Sequence, residues 1–93
     1  MDIHHAAQAG TYESSDIFVL VLPGTGGIRI SLTSSVERQF GNSIRAAIRQ
    51  VLEEMDVTDV TVEATDHGAL DCTIRARVET AVERAARQEV TRG

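Results

Sequence analysis

The stretch Ile17-Phe18-Val19-Leu20-Val21-Leu22, closed by Pro23-Gly24-Thr25-Gly26-Gly27 and followed by Ile28-Arg29-Ile30-Ser31-Leu32-Thr33, decides the fold. An unbroken apolar run of strand-favouring residues between Asp16 and Pro23-Gly24 predicts a strand buried on both faces. Pro23 fixes φ and the glycines accept positive φ, so residues 23–27 read as a hairpin loop. As a phosphate cradle these glycines are a weak match, because they precede a strand and lack both Rossmann and P-loop spacing. The second run alternates strictly. Ile28, Ile30 and Leu32 share one face, and Arg29, Ser31 and Thr33 share a wet one.

Toward the C-terminus, Ser34 and Glu37 stand at capping-box spacing and predict a helix starting near Ser35. Its expected buried stripe is Val36, Phe40, Ile44, Ala47, Ile48, Val51, Leu52 and Met55, with Arg49 and Glu53 outward and able to pair. Gly41 costs roughly 1 kcal/mol against Ala inside a helix, which points to a close approach of the helix to the sheet or to a partner. Val57 to Ala64 alternates again and reads as a third strand. Beyond the break at Thr65-Asp66-His67-Gly68, Asp66 or Thr65 can cap a second helix with the stripe Leu70, Ile74, Val78, Ala81, Val82 and Ala85. Glu79 and Glu83 lie one turn from Arg75 and Arg87, and Gln88 to Gly93 form a polar tail. These elements predict one α+β domain over 1–93, a single two-layer sandwich in β-β-α-β-α order. Its three-stranded sheet carries both helices on one face, with strand 17–22 between the other two.

Composition excludes several classes of function. With 3% aromatic residues and no Trp, the core must come from Val, Ile, Leu and Ala. A net charge of -5 argues against a nucleic-acid partner, since phosphate binding depends on basic residues displacing counterions. All nine basic residues are Arg. The lone Cys72 cannot form an internal disulfide and lacks a metal-ligand set around it, which fits a reducing cytoplasm. There is neither a membrane-spanning run nor a signal-type N-terminus, so no membrane partner is expected. No catalytic carboxylate pair, hydrolase triad or metal cluster stands out; His4 and His5 read as solvated, and His67 as a solvated turn residue.

Residues 1–15 show no periodicity and read as a flexible tail plus loop. Within them Gly10-Thr11-Tyr12-Glu13-Ser14-Ser15-Asp16 combines a flexible glycine with side chains that compete locally for backbone hydrogen bonds. Composition alone leaves a disordered tail as one reading. The other is an accessible serine pair without an activating base, and so a residue that is acted upon.

This heptapeptide resembles the Gly-Thr-x-Glu-Ser-(Gly/Ser/Asn)-Asp segment of the citrate lyase acyl carrier protein family. Two further stretches resemble the same family: Ser34-Ser35-Val36-Glu37-Arg38-Gln39-Phe40-Gly41 with Ile44-Arg45, and Gly68-Ala69-Leu70-Asp71-Cys72 with Arg75-Ala76-Arg77. The matches run in family order from about residue 8 to residue 87. The resemblance implies a carrier subunit that catalyses neither step of citrate cleavage. Ser14 would be the attachment point of a phosphoribosyl-dephospho-CoA arm, 2'-(5''-phosphoribosyl)-3'-dephospho-CoA, joined through a phosphodiester and bearing acetyl and citryl thioesters. Ser15 occupies the variable place after it. The implied partners are the citrate lyase alpha and beta subunits, the transferase that installs the arm and the ligase that acetylates it. Glu13 and Asp16 flank Ser14, where their charge would repel the anionic arm and mark the loop for the transferase. Cys72 stands where the Asp-Ser-Leu signature of other carriers has its serine, and is expected to be partly buried helix packing. Two alternatives stay open: the carrier of a related complex such as malonate decarboxylase, and a non-enzymatic interaction module.

Overall fold

Side-chain alternation sorts the sheet into a helix-covered face and an open one. The computed structural model describes residues 1–87, and the tail read over 88–93 lies outside them. The elements run β1 (Ala7–Ala9), β2 (Ile17–Pro23), β3 (Ile28–Ser34), α1 (Glu37–Glu54), β4 (Val60–Asp66) and α2 (Asp71–Ala86). β2 and β4 pair antiparallel, with Val19 opposite Ala64 and Val21 opposite Val62. β3 and β4 pair parallel, with Ile30 opposite Val62 and Leu32 opposite Ala64. Because side chains alternate with period two, these registers place Val19, Val21, Leu32, Val62 and Ala64 on one face. All five are buried, in one cluster with Ile44, Ile48 and Leu52 of α1 and Ile74, Val78 and Val82 of α2. Each fully buried Val, Ile or Leu contributes about 1.5–3 kcal/mol, which offsets the scarcity of aromatic residues.

Among the described residues the sheet has four strands, ordered β1-β2-β4-β3, which corrects the three-stranded expectation. The additional strand is Ala7–Ala9, read above as tail, which pairs antiparallel with β2 through Ala7 opposite Val21 and Ala9 opposite Val19. Three residues of Ala-Gln-Ala carry too little pattern for alternation to reveal. Their pairing rests on backbone hydrogen bonds, and the Arg84 Nη1 donates to the Gln8 carbonyl at 2.8 Å from α2.

The neighbours of β2 also differ from expectation. β4, not β2, separates β3 from the rest of the sheet, so β2 and β3 form no hairpin. The β3-α1-β4 crossover sets two parallel strands side by side, and β2 then pairs with the free edge of β4. Residues 24–27 therefore bridge the start of β4. Val60 N donates to the Gly27 carbonyl at 3.1 Å, and Gly27 N donates to Asp59 Oδ1 at 3.0 Å. A Cβ on Gly24 would lie 2.8 Å from the Val60 carbonyl carbon, so this residue lets the bridge pass directly over the strand. Nor is β2 buried on both faces: Ile17, Val19 and Val21 are, while Phe18, Leu20 and Leu22 on the open face are half-buried.

The ends of the helices depart from the capping expectations for one reason, the buried Asp66. Ser34 closes β3 instead of capping α1; its Oγ donates to Asp66 Oδ2 at 2.8 Å and accepts from Val36 N at 3.1 Å. Asp66 closes β4 and accepts from Gly68 N and Ala69 N at 3.1 and 3.0 Å, ahead of α2. A carboxyl group this deeply buried must be hydrogen-bonded, and Asp66 bonds the turn before α2, whose N-cap is Leu70 with no side-chain cap. Phe40 and Leu70, expected in the buried stripes, are 52% and 70% exposed. Cys72, expected to be partly buried, is exposed.

Gly41 makes no close approach to the sheet. A Cβ there would meet Glu37 Cγ at 3.0 Å and Arg45 Nη1 at 3.1 Å, two side chains of its own helix that close over it in an ion pair of 3.6 Å. Arg75 pairs with Asp71 and Glu54 rather than with Glu79.

Candidate functional site

The segment between β1 and β2 is built around a glycine. Gly10 has φ +93°, and a Cβ on it would stand 1.8 Å from the Ile17 carbonyl oxygen, so only glycine lets the chain leave β1 and fold back beside β2. Thr11 Oγ1 accepts from Glu13 N at 3.2 Å and donates to Asp16 Oδ2 at 2.7 Å. Asp16 N donates to the Glu13 carbonyl at 3.2 Å and closes a four-residue turn with Ser14 and Ser15 at its central positions.

Ser15 is left-handed, with φ 64°. A positive φ confined to the second central residue is the signature of a type II turn, where Gly or Asn is favoured. Ser15 N donates to the His67 carbonyl at 2.8 Å and His67 N to the Asp16 carbonyl at 2.9 Å, which continues the β2–β4 pairing one step past the strand end. The backbone thus pins Ser15. Ser14 takes the outer corner, exposed, and among the described residues nothing hydrogen-bonds its hydroxyl.

Asp16 is 9% exposed. Arg77 of α2 grips it with both arms of its guanidinium, Nε to Oδ1 at 3.0 Å and Nη2 to Oδ2 at 2.9 Å. Ile17 N adds a bond to Oδ1 at 2.7 Å. Paired charge-assisted bonds of this kind are stronger than neutral ones and fix orientation as well. The Arg77 guanidinium first, and then the Thr11 hydroxyl, hold the carboxyl at about 2 against an ordinary 3.8, although burial acts the other way. Asp16 in turn raises the pKa of Arg77.

The two acidic residues flanking Ser14 therefore differ. The charge of Asp16 is matched by Arg77, whereas Glu13 is exposed and joins none of the ion pairs found among the described residues. Tyr12 closes the outside of the segment, its ring stacked on Phe18 at 4.7 Å and 19° and edge-on to His67 at 6.3 Å.

Sequence reasoning reached Ser14, Ser15, Glu13 and Asp16 but missed what holds them. Arg77 lies 61 residues from Asp16, so no local spacing links the pair, although Arg77 belongs to a motif quoted for the resemblance. Tyr12 stands at the unspecified position of the quoted segment, and no local spacing marks it for stacking on Phe18. Chemically, the arrangement offers two exposed hydroxyls, Ser14 at the first central position of a braced turn and Ser15 at the second, without a base to activate either. That suits a serine modified by another protein better than a nucleophile.

Residues 4–85 match the family model described as Malonate decarboxylase delta subunit (MdcD). The chain is 52% identical over 86 residues to the citrate lyase acyl carrier protein of Lacticaseibacillus casei (strain BL23), covering 92% of this chain and 85% of that one. It is 56% identical to that of Streptococcus uberis, with the same two coverages of 92% and 85%. The protein of the same name from Halothermothrix orenii is 49% identical, over 94% of this chain and 93% of that one. Among solved structures, a chain of a Pseudomonas malonate decarboxylase hetero-tetramer in complex with malonate superposes with a TM-score of 0.76. That chain is 23% identical, over 89% of this chain and 86% of its own length, and shares the fold.

Proposed function

We propose, for a chain that belongs to the citrate lyase acyl carrier protein family, that Ser14 is the residue on which the acyl-bearing arm is mounted. The carrier role comes with the family; the identity of the arm, its anchor and the partners form the proposal. The arm is 2'-(5''-phosphoribosyl)-3'-dephospho-CoA, attached through a phosphodiester, and when bound it supplies a terminal thiol for acetyl and citryl groups. The partners are the citrate lyase alpha and beta subunits, which do the chemistry that the carrier itself does not, together with the transferase and the acetylating ligase. A cytoplasmic setting fits a carrier with one exposed thiol, and no helix among the described residues is long and apolar enough to cross a membrane.

One observation carries this reading: an exposed Ser14 at the corner of a turn that is closed by backbone bonds from Asp16 and His67. A tether is useful when its root is stationary and its tip mobile, because the tip then samples two active sites at an effective concentration set by tether length. The chain's own residues supply the root. Gly10 and the Asp16–Arg77 pair hold the base of the loop, and Ser15 spends its N–H on the sheet while Ser14 stays free. Glu13, the uncompensated carboxylate beside Ser14, keeps an anionic arm from lying on the local surface and marks the loop for the transferase. Asp16 serves recognition by shaping the loop more than by its charge.

The test is intact and peptide mass spectrometry of the protein produced together with the transferase. The full arm mass on Ser14, lost in Ser14→Ala, is expected; an unmodified chain, or an adduct on Ser15, would overturn the assignment. Glu13→Gln is expected to slow loading, and an unaltered rate removes its role. The second reading, the carrier of a malonate decarboxylase-type complex, is favoured by the description of the matched family model. Because the carrier does not choose the acid, the partners separate the two: the chain is expected to restore citrate turnover to citrate lyase subunits and not malonate turnover to malonate decarboxylase subunits, and the reverse result favours the second reading.

A further inference from the structure

Two stretches that the attachment chemistry leaves unused, 34–41 and 68–72, meet in space. Between the first half of α1 and the entry to α2 lies a groove of about 410 Å³. Phe40 and Leu70 form its walls and are 52% and 70% exposed; Val36 and Ala69 are half-buried, and Ile44 and Ile74 form its buried floor. Holding large apolar side chains in water costs free energy in proportion to the area left uncovered, and the buried core does not include these two. Among the described residues the exposed large hydrophobic side chains are Met1, Tyr12, Phe40 and Leu70, and two of these four meet in this groove.

The charge around the groove selects among occupants. Among the described residues, none that lines it is cationic. Asp66 has its oxygens occupied by Ser34, Gly68 and Ala69, while Asp71 is exposed and shares the single Arg75 guanidinium with Glu54, at 3.1 and 3.7 Å. The rim is thus net acidic, in a chain of net charge -5. An anionic arm rooted beside Glu13 is repelled from such a surface, and so is a second copy of the same chain. An apolar side chain flanked by Arg or Lys fits both the walls and the rim.

The groove is also continuous with the attachment site. Gly68, on its edge, follows His67, whose carbonyl holds Ser15. We infer that the Phe40–Leu70 groove is the docking point of an enzyme subunit that works on the arm, entered by an apolar side chain of that subunit with basic residues beside it. A subunit seated there faces Ser14. The inference rests on the carrier reading, and it assigns to α1 and α2 a role beyond covering the sheet.

The experiment titrates the full-length carrier, apo and holo, against the separate lyase alpha and beta subunits, using the parent, Phe40→Ala, Leu70→Ala and the double variant. Truncation of a central apolar contact is expected to weaken binding to one subunit about tenfold or more in the double variant, with its melting temperature held at the parent's. Asp71→Asn is expected to weaken the same binding at low salt and not at high salt. Undiminished affinity of the double variant for both subunits would overturn the inference, and Leu70→Ser, at a site 70% exposed, guards against a folding artefact. Shifts of the Phe40 and Leu70 resonances when the isolated carrier is loaded would give the groove to the arm instead. Concentration-dependent self-association abolished by the double variant would give it to a second copy. Each of these also overturns the inference. Failure of the carrier reading itself appears separately, as a missing Ser14 adduct, since docking is measured on the apo chain too.

Discussion

Residues 10–16 and 24–27 flank the two ends of β2 and both carry turn-forming residues, yet they are held by different means. The first adds a side-chain clamp to its backbone bonds: Thr11 and Asp16 bond the loop to itself, and Arg77 reaches in from α2. The second carries no ion pair among the described residues; Gly27 bonds Val60 and the Asp59 carboxyl, and Gly24 is pressed on the Val60–Thr61 peptide. A loop closed by a charge pair can expose its corner residue while its base stays fixed. A loop closed by steric fit exposes nothing in particular and serves as a bridge over β4. The first should fail when a charge or a conformation is removed, and the second when volume is added.

Gly10→Ala sharpens the contrast most, since it combines positive φ with a clash of 1.8 Å against backbone that cannot move aside. We expect a loss of about 3 kcal/mol or more in urea unfolding, together with impaired loading of Ser14. An unfolding midpoint equal to the parent's would show that the loop can leave the sheet at no cost.

Asp16→Asn comes next, at about 2 kcal/mol, because it weakens the paired bonds to Arg77. The pH dependence has a definite sign. The carboxyl is held at about 2 in the folded chain against 3.8 ordinarily, so its contribution is complete above 3.8 and fades as pH falls toward 2. The stability gap between parent and variant should therefore close across that window. A gap that stays constant down to pH 2 would mean that the ion pair is not its source.

Gly24→Ala tests the bridge and should cost about 1–2 kcal/mol by overpacking against Val60. Loading of Ser14 should be unaffected. If loading slowed as much as with Asp16→Asn, the two loops would not be independent and the contrast would break. The smallest effect belongs to Ser15→Gly, which relieves a left-handed serine at some cost in unfolded-chain entropy. A gain below about 1 kcal/mol is expected, with the adduct still on Ser14.

Parts of the molecule differ in how far residues alone reveal them. The alternation of Ile28, Ile30 and Leu32 and the stripe of Ile44, Ile48 and Leu52 were legible because one residue's burial follows from its own neighbours in the chain. The β1 strand was not, since Ala-Gln-Ala carries no periodic signal and pairs only because β2 offers an edge. Phe40 and Leu70 were assigned to buried stripes by spacing, which records the side of a helix and not whether anything covers it.

The chain by itself determined the α+β class, the helix and strand identities of its longer elements, and the exposed serine in a polar loop. These are consequences of local periodicity and of the hydrogen-bonding competition of short side chains. Strand order, the Asp16–Arg77 clamp and the use of Asp66 in place of helix caps were decided only in three dimensions. Each depends on groups far apart in sequence whose mutual distance is set by the packing of the helices on the sheet.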